Sequence, residues 1–594
     1  MIRNAIIASL GLASAAAFAQ QNDLTEQARS FLATAESQLS AAEDLTNRAD
    51  WVRSTYITAD TDWLLEKLST ERTALAVSLV TQARRFDGKV RDPEVARKLA
   101  ILKRLVRMPA AAGSAAALSE VSGSLNTRFA TGSFTIEDKR YLLQDAERAL
   151  AQSRDPVKSA AIWEGWRSVA PPMRDDYAHM VSLANAGARE LGFADVGAMW
   201  RSEYDVTPEA LAREIDALWK QISPLYDELH CYARTKLNAR YGDSVQPASG
   251  AIRADLTGNM WGQNWTGIWD VLVPTESGAT FDLEQALHAN SYEPKKMVKA
   301  AEGFFVSLGM RSLPESFWAR SQFTRPEGRD VDCNASAWTI DQRDDVRIKM
   351  CIRVTAAEWP VIHHELGHDY YQLAYQQQPF LFRDGVNGGF HEAIGDFIAL
   401  SAVTPSYLKR IGLEPADLAE RDETSYLLQQ ALARVPLLAF ALAMDKWRWG
   451  VFAGEIQPAD YNSAWWSLVE RYQKLRPPRA RPADAFDIAA KYHITANVPY
   501  MSYFMASVYQ YQFQRAACRI AGVDGPLHRC SIYGSKEVGA KLGEMLASGR
   551  SRPTGQTLAM FTGEDRADAS AMLDYYAPLY RWLKRQNAGK RCTP

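Results

Sequence analysis

A mainly α-helical fold interrupted by one small β hairpin is what this sequence predicts, and three observations predict it. Apolar residues recur at three- and four-residue spacing along most of the chain. One region, "ASAWTIDQRDDVRIKMCIRV", alternates instead at strand spacing. The turn-rich segments between these runs are short ("VQPASG", "LRPPRARPAD", "SGRSRPTG"), with no repeat of fixed period and no low-complexity linker. With 594 residues, 47% hydrophobic and 23% charged, the chain has an ordinary globular balance and can bury a large core.

At the N-terminus, "MIRNAIIASLGLASAAAFAQQ" carries one positive charge at Arg3 and a short apolar run ending in Ala17-Phe18-Ala19 before Gln20. This is the pattern of a signal peptide cut after Ala19. The run falls short of the roughly 20 residues that cross a bilayer, and no later stretch reads as apolar enough to span. Residues 1–19 are therefore expected to be removed and the rest exported, to a periplasm or the medium, with no membrane anchor. A helix follows, in which Leu24, Ala28, Phe31, Leu32, Ala35 and Leu39 keep helical spacing behind a cap-like Asp23-x-x-Glu26. "PEALAREIDALWKQISPLYDELHCYARTKL" and the run from Tyr500 to Gly522 predict two more long amphipathic helices. A net charge of −2 with no block of like charges gives no sign of a nucleic-acid or anionic-membrane partner.

In the hairpin, Val346, Ile348 and Met350 alternate with Arg347, Lys349 and Cys351 after the polar turn "DQRDD". A strand edge here suits an extended peptide adding by backbone pairing. The six cysteines fit an oxidising compartment. Sequence leaves their pairing open, with two short loops attractive, Cys333 with Cys351 and Cys518 with Cys530. Cys231 and Cys592 are left over as potential free thiols, and nothing predicts that they join.

Straight after the hairpin comes "VIHHELGHDYYQ". Thr355-Ala-Ala-Glu358 has capping-box spacing, with Thr355 as N-cap and Glu358 at N3, and no proline interrupts from Val361 to Gln378. Each helical residue turns about 100°, so His364 and His368 share a face while His363 points elsewhere. His364, Glu365 and His368 read H-E-x-x-H, two imidazoles for one zinc ion with a carboxylate beside it as base. Catalytic zinc usually takes three protein ligands. Tyr371 and Ala374 stand where the metzincin pattern needs glycine and histidine, which excludes that class. "GGFHEAIGDFIAL" offers Glu392 and, on the same face, Asp396: a ligand, and an acceptor for a ligand histidine's free N–H.

"HHELGH", "HEAIGD" and "KYHITANVPYMSYF" together resemble the angiotensin-converting enzyme family of zinc dipeptidyl carboxypeptidases, or peptidyl-dipeptidases, of peptidase family M2. The resemblance continues through "WEGWR", "GNMWGQNW", "CNASAW", "RIKMC", "MDKWRWGVF" and "GPLHRCSIYGSKEVG". It implies a gluzincin of neurolysin-like architecture: a large helical ellipsoid with a deep central cleft, residues 20–594 forming a single peptidase domain of two subdomains. It implies one zinc ion held by His364, His368 and Glu392, with Glu365 as general base and then acid, and Asp396 orienting a ligand histidine. Lys491, Tyr500 and Gln263 would bind the terminal carboxylate of a short peptide. His493 would contact the carbonyl beyond the cut and Tyr503 the oxyanion, while Asn334 and Ala335 would line the substrate site. Both short disulfide loops match the family's.

Three departures from that family carry expectations. Asn334 replaces the usual histidine; it can donate a hydrogen bond but carries no proton. Activity is expected to survive with altered substrate or inhibitor affinity, and identical KM and inhibitor binding in Asn334→His would remove any role for the position. Ser502 and Val469 stand where vertebrate-type enzymes place chloride-binding arginines, so chloride activation is expected to be weak or absent. A cysteine pair of the N-terminal half is missing from "AALSEVSGSLNTRFATGSF"; at a few kcal/mol per bridge a fold of this size should survive.

Two rival readings remain at this level. An endo-oligopeptidase or single-residue carboxypeptidase would differ from a dipeptidase in its products and its response to C-terminal amidation. A non-catalytic peptide-binding protein would be expected to have lost a ligand or the base, and all four are present.

Overall fold

Helices carry most of the regular structure of this computed structural model, which describes residues 2–274, 282–413 and 420–592. The side chains of residues 1–22 and 420–422 lie outside the described residues, and with them the Ala17-Phe18-Ala19 pattern. The chain opens with a pair of helices, Ile2–Thr55 and Ala59–Ala83. Ala28, Leu32, Ala35 and Leu39 are buried as their spacing predicts, with Leu24 half-buried. Asp23 is not a helix start, contrary to expectation. The first helix runs through it, and its carboxylate instead accepts from Gln27 one turn on, 3.0 Å away.

The run beginning "PEALARE" forms the helix Pro208–Tyr241. Thr207 caps it by accepting from the N–H of Ala210, 3.2 Å away, and Pro208 occupies the first turn, where no N–H is needed. Leu211, Ile215, Leu218, Ile222, Leu225 and Leu229 bury one face. The C-terminal helix Ala577–Asn587 packs against it, tied by Asn587 Nδ2 to the carbonyl of Glu228 at 2.9 Å.

That packing corrects the cysteine expectation. Cys231 and Cys592 are bonded to each other across 361 residues, and no described cysteine is free. Proximity in sequence could not reveal a pair brought together by helix docking. The two short loops, Cys333–Cys351 and Cys518–Cys530, close as expected.

A second correction concerns membrane spans. Glu423–Phe452, within the helix Glu420–Phe452, is long and apolar enough to cross a membrane by length and composition. Its apolar window is 72% buried inside the fold, and it holds the buried ion pair of Asp445 and Arg448. These properties mark it as a core helix.

Strands Ser336–Thr339 and Val346–Lys349 pair antiparallel, Ala337 opposite Ile348, and make the expected hairpin. Its alternation does not divide core from solvent. All four residues Val346–Lys349 are buried. Arg347 is neutralised by Asp345 at 2.8 Å, and Lys349 Nζ donates to the carbonyls of Asp332 and Asn334, both at 2.9 Å. The lysine and the Cys333–Cys351 bond together fasten the base of the hairpin.

Candidate active site

The histidine helix spans Glu358–Tyr375, starting later and ending earlier than the sequence suggests. Thr355 is not its N-cap residue; a turn intervenes, although the Thr355 hydroxyl still accepts from the N–H of Glu358 at 3.4 Å. His363 faces the core between the carbonyl of Trp359 (2.8 Å) and the hydroxyl of Tyr407 (3.1 Å), so it is no ligand.

The helix Gly388–Ala402, begun by Asn387 capping the N–H of Gly389 at 3.0 Å, crosses the histidine helix. Two glycines make the crossing possible. A Cβ on Gly367 would lie 2.9 Å from Cα of Gly395, and one on Gly395 would lie 2.6 Å from Nδ1 of His364. The glycines of "HELGH" and "EAIGD" are thus the contact point of the two rods, and the close approach brings Glu392 and Asp396 to His364.

His364, His368 and Glu392 each offer one ligand atom, all within 4.8 Å of one another. Nε2 of His364 is 3.0 Å from Nε2 of His368 and 3.7 Å from a carboxylate oxygen of Glu392. Donors about 2.0–2.1 Å from a tetrahedral zinc ion lie about 3.3 Å apart, so the spacing and the His-His-Glu chemistry fit that metal.

Behind the ligands, Asp396 accepts from Nδ1 of His364 at 3.2 Å and is gripped by both terminal nitrogens of Arg434, at 2.9 and 2.7 Å. Burial would raise the Asp396 carboxyl, but the Arg434 charge and the His364 hydrogen bond outweigh it and hold it below the ordinary carboxylate range. Burial likewise disfavours a charged His364. The Asp396 hydrogen bond and charge overcome that and, with metal absent, raise it to about 9. Metal binding at neutral pH must therefore displace a proton there. His368 turns its Nδ1 to Nδ1 of His391 at 3.0 Å, and Nε2 of His391 meets the Tyr375 hydroxyl at 3.2 Å. Sequence reading missed both supports. His391 has a visible cue, since it directly precedes Glu392. Arg434 has none, because it arrives from a helix 38 residues downstream of Asp396.

Gly395→Ala is expected to push His364 off its axis and weaken zinc binding about 10–100-fold, the usual cost of losing a ligand's support. A competition titration with a chromogenic chelator measures this. Gly543→Ala is the control, since a Cβ there meets nothing within 4 Å.

Glu365 is 7% exposed and receives the backbone N–H of Ala337 from the hairpin. Burial raises its carboxyl to about 7, against the opposing pull of His364. Ala335 is half-buried on the approach to this strand. Asn334 is exposed, its backbone N–H held by Asp332 at 2.9 Å and its carbonyl by Lys349.

The structure also gathers the C-terminal motif residues. Tyr500 donates to Oε1 of Gln263 at 3.0 Å. Lys491, only 6% exposed, holds its ammonium 3.8 Å from the ring centre of Trp261 and 5.8 Å from that of Tyr500. Burial lowers it to about 7, with Glu147 acting in the opposite direction. Trp261 and Glu147 are further residues that sequence reading missed. Among the described residues no carboxylate lies within ion-pair distance of Lys491. The rings of His493 and Tyr503 complete the wall, 4.8 and 4.8 Å from Tyr500. Tyr503 is raised by burial and by the nearby charge of Glu392, which places its phenol in the field of the ligand set. Nδ1 of His493 is buried without a partner.

Residues 22–593 match the family described as angiotensin-converting enzyme, peptidase M2. The angiotensin-converting enzyme of Rattus norvegicus is 43% identical over 74% of this chain, which covers 33% of that protein. The angiotensin-converting enzyme-related protein of Drosophila melanogaster is 39% identical over 84% of this chain and 81% of its own length. The angiotensin-converting enzyme of Haematobia irritans exigua is 34% identical over 94% of this chain and 93% of its own. The chain spans less than half the length of the mammalian relatives it matches, 33–43% of it. With the family's pattern matched from residue 22 to residue 593, this chain belongs to the angiotensin-converting enzyme family.

Proposed function

We propose that the protein is a zinc-dependent dipeptidyl carboxypeptidase acting on short peptides with a free C-terminus. The observation that carries this reading is the buried Lys491, beside Tyr500 and Gln263 and with no carboxylate within ion-pair distance among the described residues, linked through the Tyr500 and Tyr503 rings to Glu392 of the His364–His368–Glu392 set. A buried cation without a counter-ion is costly, and an incoming peptide carboxylate offsets that cost. Zinc, when bound by His364, His368 and Glu392, supplies a Lewis acid and lowers the pKa of bound water toward about 7.

The protein's own groups do the rest. Glu365 takes a proton from the attacking water and returns it to the leaving amine. The Tyr503 phenol donates to the oxygen on which charge develops. His493 contacts the carbonyl beyond the cut, and the edge of Ser336–Thr339 aligns the peptide backbone. The anchor at Lys491 fixes the C-terminus and so measures off a dipeptide. Mass spectrometry of the products, with and without a chelator, tests the reading. It expects loss of a C-terminal dipeptide only with metal present; internal cleavage or single-residue release would sink it.

The same reading takes residues 1–19 as a signal peptide and the protein as exported. The three disulfides support an oxidising compartment. Chloride is expected to leave kcat/KM nearly unchanged. Val469 is buried and apolar, and the Ser502 hydroxyl is spent on the carbonyl of Pro499 at 3.3 Å. A steep rise in kcat/KM with chloride at fixed ionic strength would contradict this.

A further inference from the structure

Beside Ser502 lies a partly open cavity of about 420 Å³, walled by residues of the first helical pair, by Gly388 and by the segment Val498–Pro499–Ser502. It shares a wall with the active site. Gly388 opens the helix that carries Glu392, Ser502 precedes Tyr503, and a Cβ on Gly388 would lie 3.3 Å from Cβ of Ser502.

The cavity's charge is unbalanced: six arginines line it against three carboxylates. Three of the arginines are neutralised. Arg72 pairs with Glu43, Arg550 with Asp384 at 3.2 Å, and Arg97 with Asp205 at 2.9 Å. Arg104 donates to the carbonyl of Ser202, and Arg383 to that of Gln378 at 2.7 Å. Arg107 is exposed. Among the described residues, none of these last three has a carboxylate within ion-pair distance. The remaining lining carboxylate, Glu203, accepts the N–H of Gly388 at 2.9 Å. Burial pulls the Arg104 guanidinium down from its ordinary value, against the more distant charges of Asp205 and Glu203.

The direction of the substrate follows from the proposed anchor. With the C-terminus at Lys491 and the cut beside Tyr503, the residues upstream of the cut would extend beyond Tyr503, whose helix also carries Ser502 on the cavity wall. Arg107 lies on that side, close enough for its charge to act on the Tyr503 phenol. We propose that this cavity is an acid-selective subsite, in which Arg104, Arg107 and Arg383 take the carboxylate side chains of residues upstream of the cut. The inference rests on the dipeptidyl carboxypeptidase reading and adds a substrate class to it: short acidic peptides. Guanidinium forks suit this role because they bind carboxylates through two parallel hydrogen bonds.

Three N-acetylated pentapeptides that share their last three residues test it, with Glu-Glu, Gln-Gln or Lys-Lys at the first two positions. Rates are measured in halide-free buffer at low ionic strength. The Glu-Glu peptide is expected to exceed the Gln-Gln peptide roughly tenfold in kcat/KM, as a charge-assisted hydrogen bond provides, and the Lys-Lys peptide to fall below both. The ratio should shrink toward unity in Arg107→Gln/Arg383→Gln and at high salt. Equal rates for all three peptides, or an undiminished ratio in the double variant, would overturn the acidic subsite while continued dipeptide release upholds the active-site reading. Failure to release a dipeptide from any of them would overturn that reading and the subsite with it.

Discussion

Glu365→Gln is expected to lower kcat about 10²–10⁴-fold, the range for loss of a positioned general base, while zinc still binds. The amide has the shape of the carboxyl and can still accept the N–H of Ala337, so hairpin and helix should stay in register. The three ligand side chains are untouched. Stability provides an independent check. The folded carboxyl is raised from 4.5 to about 7, so with metal absent the folded state binds the Glu365 proton more tightly than the unfolded state does. Its contribution is complete below about pH 4.5 and is lost as pH rises through 7. Metal-free Glu365→Gln lacks that loss and should melt no lower than the parent at pH 8. A variant with normal zinc content and undiminished kcat would remove Glu365 from the mechanism.

Amidating the substrate's C-terminus is expected to cost about 2–5 kcal/mol, the penalty for leaving one member of a buried charge pair alone. This is roughly thirtyfold or more in kcat/KM. Lys491 is the reason. Its ammonium lies against Trp261, with Glu147 acting on it only from a distance and no carboxylate within ion-pair distance among the described residues, so the substrate's carboxylate supplies the direct partner. Lys491→Gln should abolish the preference for the free acid over the amide. The same lysine predicts a pH trend. Burial lowers it to about 7 in the free protein, so it is charged below that pH and increasingly neutral above. KM for a free-acid peptide should therefore rise with pH above 7, by up to about tenfold per unit, and this rise should vanish in Lys491→Gln. An amidated peptide cleaved as fast as its free acid would instead favour an endo-oligopeptidase.

Local chemistry made much of this protein legible before any fold. The helical spacing from Leu24 to Leu39, the hairpin alternation, the two short cysteine loops and the H-E-x-x-H face all depend on contacts within about twenty residues, where backbone periodicity alone brings side chains together. The pairing of Glu392 with Asp396 follows the same rule, being four residues apart on one helix.

Tertiary structure decided what depends on two distant segments meeting. Cys231 found Cys592 because the last helix docks on Pro208–Tyr241. Arg434 reached Asp396, and Lys491 came to face Trp261, from elements with no sequence cue to each other. Packing also buried Lys349 beside Ile348, so the alternation of the strand does not mark a solvent face. Sequence determined which groups could do chemistry; packing, through the close approach at Gly367 and Gly395, decided where they converge. Short-range geometry is fixed by covalent spacing, whereas long-range contact is selected by the free energy of burying the whole core.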